Sequence, residues 1–276
     1  MTFSVGFIGA GNMSSALLGG LMAKGWSSQR LSVADPEASV RARHAERGIY
    51  VTAHNEEILE RADVVVLAVK PQRVAEVLEP LASCWQAQQP LLLSVVAGLS
   101  TQALQKWLGQ GLKVVRAMPN TPALVQTGAT AYYCPDQLEE PWRKRAHEIL
   151  AAVGLVLKVD QENQLDIVTA LSGSGPAYFF YVMESMQQAA EQMGLDSRVA
   201  RALTLQTALG AAQMAVTSAD SLVELRQKVT SPGGTTEAAL QVFATQHLGE
   251  ILATAMQAAK TRASELGELF AGGVNA

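Results

Sequence analysis

The sequence predicts an α/β chain in two unlike parts, a sheet-based domain over residues 1–160 and an all-helical domain over residues 161–276. Three observations predict it. Short Val- and Leu-rich runs alternate with helical stretches in the first part. The first such run ends in a glycine-rich turn that opens a helix. After residue 160 the strand pattern stops and only helical periodicity remains.

In order, strands are expected at Ser4–Ile8, Leu31–Ala34, Val64–Val69, Leu91–Val96, Lys113–Arg116 and Thr130–Tyr133. Helices are expected between them near residues 13–24, 36–47, 55–61, 71–84 and 100–108. Near-continuous apolar strands separated by helices indicate a parallel sheet covered on both faces. A helix over Pro141–Val153 closes this part. The second part reads as helices over Gln164–Met193, Ser197–Ser218, Ser221–Val229, Glu237–Ala244 and Leu248–Phe270. Asp196 and Asp220 are candidate N-caps, and Ser221 with Glu224 has capping-box spacing.

The 276 residues suit one or two domains. A net charge of −4 argues against a nucleic-acid binder. Two cysteines, Cys84 and Cys134, make neither a disulfide framework nor a metal finger. The first residues carry no leader pattern, and the longest apolar run, Ile149–Leu157, is far short of the ~20 residues of a membrane span. A soluble, cytoplasmic chain is expected. Charged residues make up only 17%, against roughly 25% in ordinary soluble domains. The deficit is concentrated in two charge-free stretches of the helical part, 167–183 and 202–219. Helices so apolar need cover on more than one side, which a second subunit would supply.

Gly9-Ala10-Gly11-Asn12-Met13-Ser14 sits between the first strand and its helix and nearly matches G-x-G-x-x-G/A. The first glycine allows the tight turn, the second lets backbone approach a pyrophosphate, and the third position needs only a small residue. The helix N-terminus then favours the anion. This is a Rossmann-type dinucleotide cradle. Asp35 ends the second strand, 24 residues after Gly11. It either accepts hydrogen bonds from the ribose hydroxyls or caps the helix beginning at Pro36, while Arg41 and Arg43 lie close enough to reach a 2′-phosphate. The cofactor is therefore NADPH or NADH. Lys70, at the end of a later strand, either holds a phosphate or ribose or is a solvated helix-start lysine.

Catalytic pairings are scarce. His44, His54, His147 and His247 fall on unrelated segments and read as surface residues, and no metal site is expected. Thr230-Ser231-Pro232-Gly233-Gly234-Thr235-Thr236 instead precedes a helix starting near Glu237. Its glycines and hydroxyls suit a small carboxylate, although two hydroxyls suffice for an ordinary cap. Ser172-Gly173-Ser174-Gly175-Pro176 should kink its helix, either to ease packing or to admit a flat ring.

FIGAGNM (Phe7–Met13), HN (His54–Asn55), AVKPQ (Ala68–Gln72), MPNTP (Met118–Pro122), SGSGPAYFF (Ser172–Phe180) and VTSPGGTTEAAL (Val229–Leu240) run in this order along nearly the whole chain. Together they resemble the pyrroline-5-carboxylate reductases, and the last string is specific to that family. Ser14 stands where the family usually has Ala or Gly. Asp35 stands where many members carry residues suited to a 2′-phosphate. The resemblance implies that Ile8, Gly9, Ala10, Gly11, Asn12, Met13, Asn55, Ala68, Val69, Lys70, Pro71, Val96, Ala97 and Gly98 bind the cofactor, with Asp35 beside them. It implies that Ser231, Gly233, Gly234, Thr235 and Thr236 hold the carboxylate and ring of 1-pyrroline-5-carboxylate; within that set we expect the Thr236 hydroxyl at the ring nitrogen and the loop N–H groups at the carboxylate. It further implies an all-helical dimerisation domain, and a homodimer or ring of dimers. The alternatives are a reductase of another small imine or keto acid and a non-catalytic dinucleotide binder.

Overall fold

The computed structural model describes residues 3–271. Residues up to Ser174 and those from Ala258 onward form one compact unit, and Gly175–Gln257 form a second. The first is built on β1 (Val5–Ile8), β2 (Leu31–Ala34), β3 (Tyr50–Thr52), β4 (Val64–Leu67), β5 (Leu91–Ser94), β6 (Val114–Met118), β7 (Gly128–Tyr133) and β8 (Gly154–Lys158). They stand in the order β3-β2-β1-β4-β5-β6-β7-β8. The first six are parallel. This is the doubly wound order, with its switch point between β1 and β4.

Two strands lie outside the expected set, and one runs the other way. β3 has three residues, too few to show a period, and lies at the sheet edge. β8 reads in the sequence as an apolar continuation of the preceding helix, α7 (Glu140–Leu150), and forms the opposite edge. β7 pairs antiparallel with β6 because only a short 3-10 turn, Thr121–Val125, joins them. A parallel return needs a crossover of a dozen or more residues, and α7 supplies one between β7 and β8, which are parallel.

Alternation along each strand sorts its residues into two cores. Val5, Phe7, Val64, Val66, Leu91, Leu93 and Val115 join Leu17, Leu18 and Leu21 of α1 (Asn12–Ala23) and Ile149 of α7. Ile8, Val65, Leu67, Leu92 and Val114 join the other layer. That layer is made by α3 (Glu56–Leu59), α4 (Val74–Leu78), α5 (Ala82–Gln88) and α6 (Thr101–Leu108), through Ile58, Leu78, Trp85 and Leu104. Val/Leu runs without polar alternation are thus what a sheet buried on both faces requires. The expected single helix over 71–84 is broken into α4, a 3-10 turn at Glu79–Leu81 and α5, because Pro80 has no N–H to continue the ladder. α2 (Ala38–Ala45) follows β2 and carries His44, which is buried at 4% exposure. The other three histidines are exposed, so the surface assignment fails for His44 alone.

Burial holds the His44 pKa below its ordinary value, helped by Arg47 and Arg43; the Ala10 backbone and Asp35 oppose the shift. Below about pH 6.5 the unfolded chain takes up a proton that the folded one resists, so stability is lost as pH falls toward the depressed folded value. Urea midpoints at pH 7.5 and 5.5 should therefore drop less on acidification for His44→Phe than for the parent.

The segment before the second unit was expected to bend at Ser172–Pro176. The helix is interrupted there: α8 (Gln164–Val168) is followed by a π-helical turn over Thr169–Gly173, with Ser174 N donating to Thr169 O at 2.8 Å. A Cβ on Gly173 would lie 2.7 Å from Met118 Cε, the movable end of a flexible side chain. The second unit holds α9 (Gly175–Gln192), α10 (Ser197–Thr217), α11 (Leu222–Lys228), α12 (Thr235–Thr245) and the beginning of α13 (Leu248–Ala271). Asp196 caps α10 as expected. The cap of α11 is Ser221, closed by Glu224 in a capping box; Asp220 instead pairs with Lys228 at 2.6 Å. Of the 21 residues of α10 only Ala200 and Thr204 are buried. Phe179, Phe180, Leu209 and Val216 are 62–82% exposed on the single chain.

Candidate functional site

The β1–α1 turn uses its two glycines for different reasons. Gly9 adopts φ +89°, and a Cβ there would lie 2.8 Å from the Ala68 carbonyl oxygen. Backbone and packing both demand glycine. Gly11 has an ordinary φ of −69°, and a Cβ there would meet no protein atom within 4 Å. Neither backbone nor protein packing requires a glycine at that position. Gly11 is also the N-cap of α1, which has no side-chain cap and no acidic residue in its first turn. Its N–H groups and positive dipole end are left to an anion. Ser14 fills the third motif position, fully buried, and donates to the Gly9 carbonyl at 2.5 Å.

Outside the carboxyl ends of β1, β2 and β4 lies a cleft of about 580 Å³, within the usual range for small-molecule sites. Ile8, Gly9, Ala10, Gly11, Asp35, Asn55, Ala68, Val69 and Lys70 line it, together with Glu37, Glu56, Arg73 and Glu76, which sequence reasoning had not singled out. Asn12 and Met13 continue into α1, and Pro71 starts the 3-10 turn after Lys70. Val96, Ala97 and Gly98 follow β5 and are not in the lining. Gly98 has φ +83° and its Cα region lies against Gly267 of α13, where a Cβ on Gly267 would come within 2.4 Å of the Gly98 carbonyl. Lys70 is exposed at the rim of the cleft, a position compatible with either of its two alternative readings.

Asp35 does not cap α2, whose N-cap is Glu37. One carboxylate oxygen accepts from the Ala10 N–H and the other from the Glu37 N–H, both at 2.9 Å. The side chain therefore ties the glycine turn to the end of β2. Arg41 donates to the carbonyls of Asp35 and Pro36 at 2.7 and 2.9 Å.

Two further clusters stand near the carboxyl ends of β5 and β6; their roles escaped sequence reasoning, since the pairs Arg116–Glu162, Thr101–Glu162 and Asn120–Ser172 are more than 45 residues apart. Arg116, 8% exposed, meets Glu162 at 2.6 Å, and Glu162 also accepts from the Thr101 N–H at 2.6 Å and hydroxyl at 2.8 Å. Asn120 donates to the Ser172 carbonyl at 3.0 Å and accepts from the Ala129 N–H at 2.9 Å, pinning the π-helical turn. Among the described residues no group of His, Cys, Asp and Glu is placed to hold a metal ion.

In the second unit, α12 starts at Thr235, two residues earlier than expected, with Gly234 as its N-cap. Thr235 and Thr236 therefore occupy the first turn. No side chain caps this helix. The Gly233 N–H, at φ +70°, already donates to a carboxylate, that of Glu237, at 2.7 Å. The loop is thus closed by Glu237 from inside the helix and not by one of its own hydroxyls.

A family model described as pyrroline-5-carboxylate reductase dimerisation matches residues 162–266. One described as NADP oxidoreductase, coenzyme F420-dependent, matches residues 4–98. The pyrroline-5-carboxylate reductase of Pseudomonas aeruginosa is 47% identical over 265 residues, covering 96% of this chain and 97% of its own. That of Haemophilus influenzae is 42% identical over 267 residues, covering 96% and 98%. The solved structure of a pyrroline-5-carboxylate reductase from Coxiella burnetii superposes with a TM-score of 0.92 at 43% identity, covering 96% of this chain and 99% of that one. The Plasmodium falciparum reductase, solved with NADP bound, gives 0.85 at 29% identity, covering 96% and 98%. Among the described residues no helix is long and apolar enough to cross a membrane. By sequence over almost its full length and by fold, the chain belongs to the pyrroline-5-carboxylate reductase family.

Proposed function

We propose that the protein reduces 1-pyrroline-5-carboxylate to proline with NAD(P)H, as its relatives' names indicate. Ile8–Met13, Asp35, Asn55, Ala68–Pro71 and Val96–Gly98 would hold the dinucleotide. The vacant side-chain position at Gly11, which no protein atom approaches, fits such a group. Bound there, the reduced nicotinamide supplies a hydride to the C=N carbon.

The start of α12 carries the substrate assignment. Its first-turn N–H groups have no side-chain cap, and the loop already holds one carboxylate, that of Glu237. Ser231 and Thr235 would bind the substrate carboxylate through hydroxyl and first-turn N–H groups, while Gly233 and Gly234, whose N–H groups go to Glu237 and Ser231, would shape the loop and let the substrate approach. The Thr236 hydroxyl accepts from the protonated ring nitrogen and orients the ring. A protonated imine is strongly electrophilic, so positioning of two bound reactants supplies much of the catalysis, and no histidine is required. Thr236→Val should lower kcat/KM for pyrroline-5-carboxylate about 10- to 100-fold, the worth of a hydrogen bond to a charged group. Steady-state kinetics with an unchanged kcat/KM would remove Thr236 from the site.

The helical unit is proposed to pair with a second copy, and rings of such dimers are the larger assembly. The exposed Phe179, Phe180, Leu209 and Val216 support the pairing. The proposed location is the cytoplasm, where reduced dinucleotide is made.

A further inference from the structure

We infer that Asp35 selects the cofactor and that this reductase takes NADH in preference to NADPH. The inference rests on the assignment of the glycine-lined cleft as the dinucleotide site. In that fold a carboxylate at the end of the second strand meets the adenosine ribose. Asp35 holds that position with its side chain fixed: Oδ2 accepts from Ala10 N and Oδ1 from Glu37 N, each at 2.9 Å. An ionised carboxylate offers about four lone-pair directions. Two are spent on these N–H groups, and each oxygen keeps one. A pair of vicinal ribose hydroxyls supplies the two matching donors. A 2′-phosphate dianion supplies none and would face a fixed negative charge that backbone hydrogen bonds hold in place.

The usual remedy is an arginine that meets the phosphate. Arg41 is well placed in sequence, but its Nη1 donates to the carbonyl oxygens of Asp35 and Pro36 at 2.7 and 2.9 Å. Arg73, on the cleft wall, is held by Glu76 through two bonds of 2.8 and 2.9 Å. The charged lining consists of Asp35, Glu37, Glu56 and Glu76 against Lys70 and Arg73. Such a wall disfavours the dinucleotide that carries the additional phosphate.

Fluorescence titration of the full-length protein with NADH and with NADPH, without substrate and at fixed ionic strength, tests this apart from turnover. The parent should bind NADH at least tenfold more tightly. Asp35→Ser should shrink that ratio tenfold or more, by losing the ribose acceptor and the repulsion together. Asp35→Asn keeps the size and an acceptor for the Ala10 N–H, though not one for the Glu37 N–H; it should move the ratio the same way, with a melting curve checking that the fold is kept. Arg41→Ala should leave the ratio unaltered. Equal or tighter NADPH binding by the parent overturns the preference, and an unmoved ratio in both Asp35 variants overturns the role of Asp35. Selective loss of NADPH binding in Arg41→Ala shows that Arg41 reads the phosphate and equally overturns the inference. If neither dinucleotide binds, the cleft assignment itself fails.

Discussion

Replacing Glu162 with alanine is expected to lower the unfolding free energy by about 2–3 kcal/mol, as removal of the charged acceptor of a partly buried, hydrogen-bonded ion pair does. The guanidinium of Arg116 is 8% exposed, and its Nε has no partner among the described residues. Without Glu162 it would keep its charge in a poorly hydrated place. Glu162 also receives the N–H and hydroxyl of Thr101, the first residue of α6. The variant therefore leaves the N–H and hydroxyl of Thr101 without their acceptor as well as orphaning a charge, although Ser100 still caps α6. A double variant, Arg116→Met with Glu162→Met, should recover most of the loss, because two apolar side chains of similar volume need no compensation. Urea unfolding of the three proteins measures it. A Glu162→Ala protein within 1 kcal/mol of the parent would mean that water already satisfies Arg116.

Leu209→Asp should convert the assembly to monomers. On an isolated chain Leu209 is 62% exposed, and a surface exchange there would cost no more than about 0.5 kcal/mol. In a two-fold interface every change occurs twice. Each leucine withdrawn from an apolar contact forfeits about 1.5–3 kcal/mol, before the cost of burying the carboxylate. The dimer dissociation constant should therefore rise at least 100-fold. Light scattering across a dilution series follows the species, and a parent that is monomeric at micromolar concentration would contradict the pairing.

The parts of the fold that could be read beforehand are those whose signal is local. The Val/Leu runs of β1, β2, β4 and β5 and the glycine turn after β1 announce themselves within ten residues. β3 did not, because three edge residues carry no periodicity. The reversal of β7 is a property of loop length, which a list of elements conceals. At the site, nine of the fifteen positions expected to bind the cofactor fall together on the cleft wall, since one motif and the ends of β2, β3 and β4 place them. The functional reading came chiefly from VTSPGGTTEAAL, a string recognised by family. What no spacing could disclose is which polar groups are already spent: Asp35 on Ala10, Arg41 on carbonyls, Glu237 on Gly233. Such pairings depend on side-chain direction, which only the folded backbone sets.

The dinucleotide-binding unit is completed by the last stretch of the chain. Gly267 lies against Gly98, Ser264 donates to Asp166 at 2.8 Å, and Phe270 joins the core layer of Leu104 and Leu92. On the ribosome this half must wait, with Gly98 uncovered and the slot for Phe270 unfilled, until more than eighty intervening residues of helix have been translated. Synthesis order and folding order are thus decoupled. A nascent or truncated chain presents an unfinished nucleotide-binding half, and only a full-length product is competent to complete it.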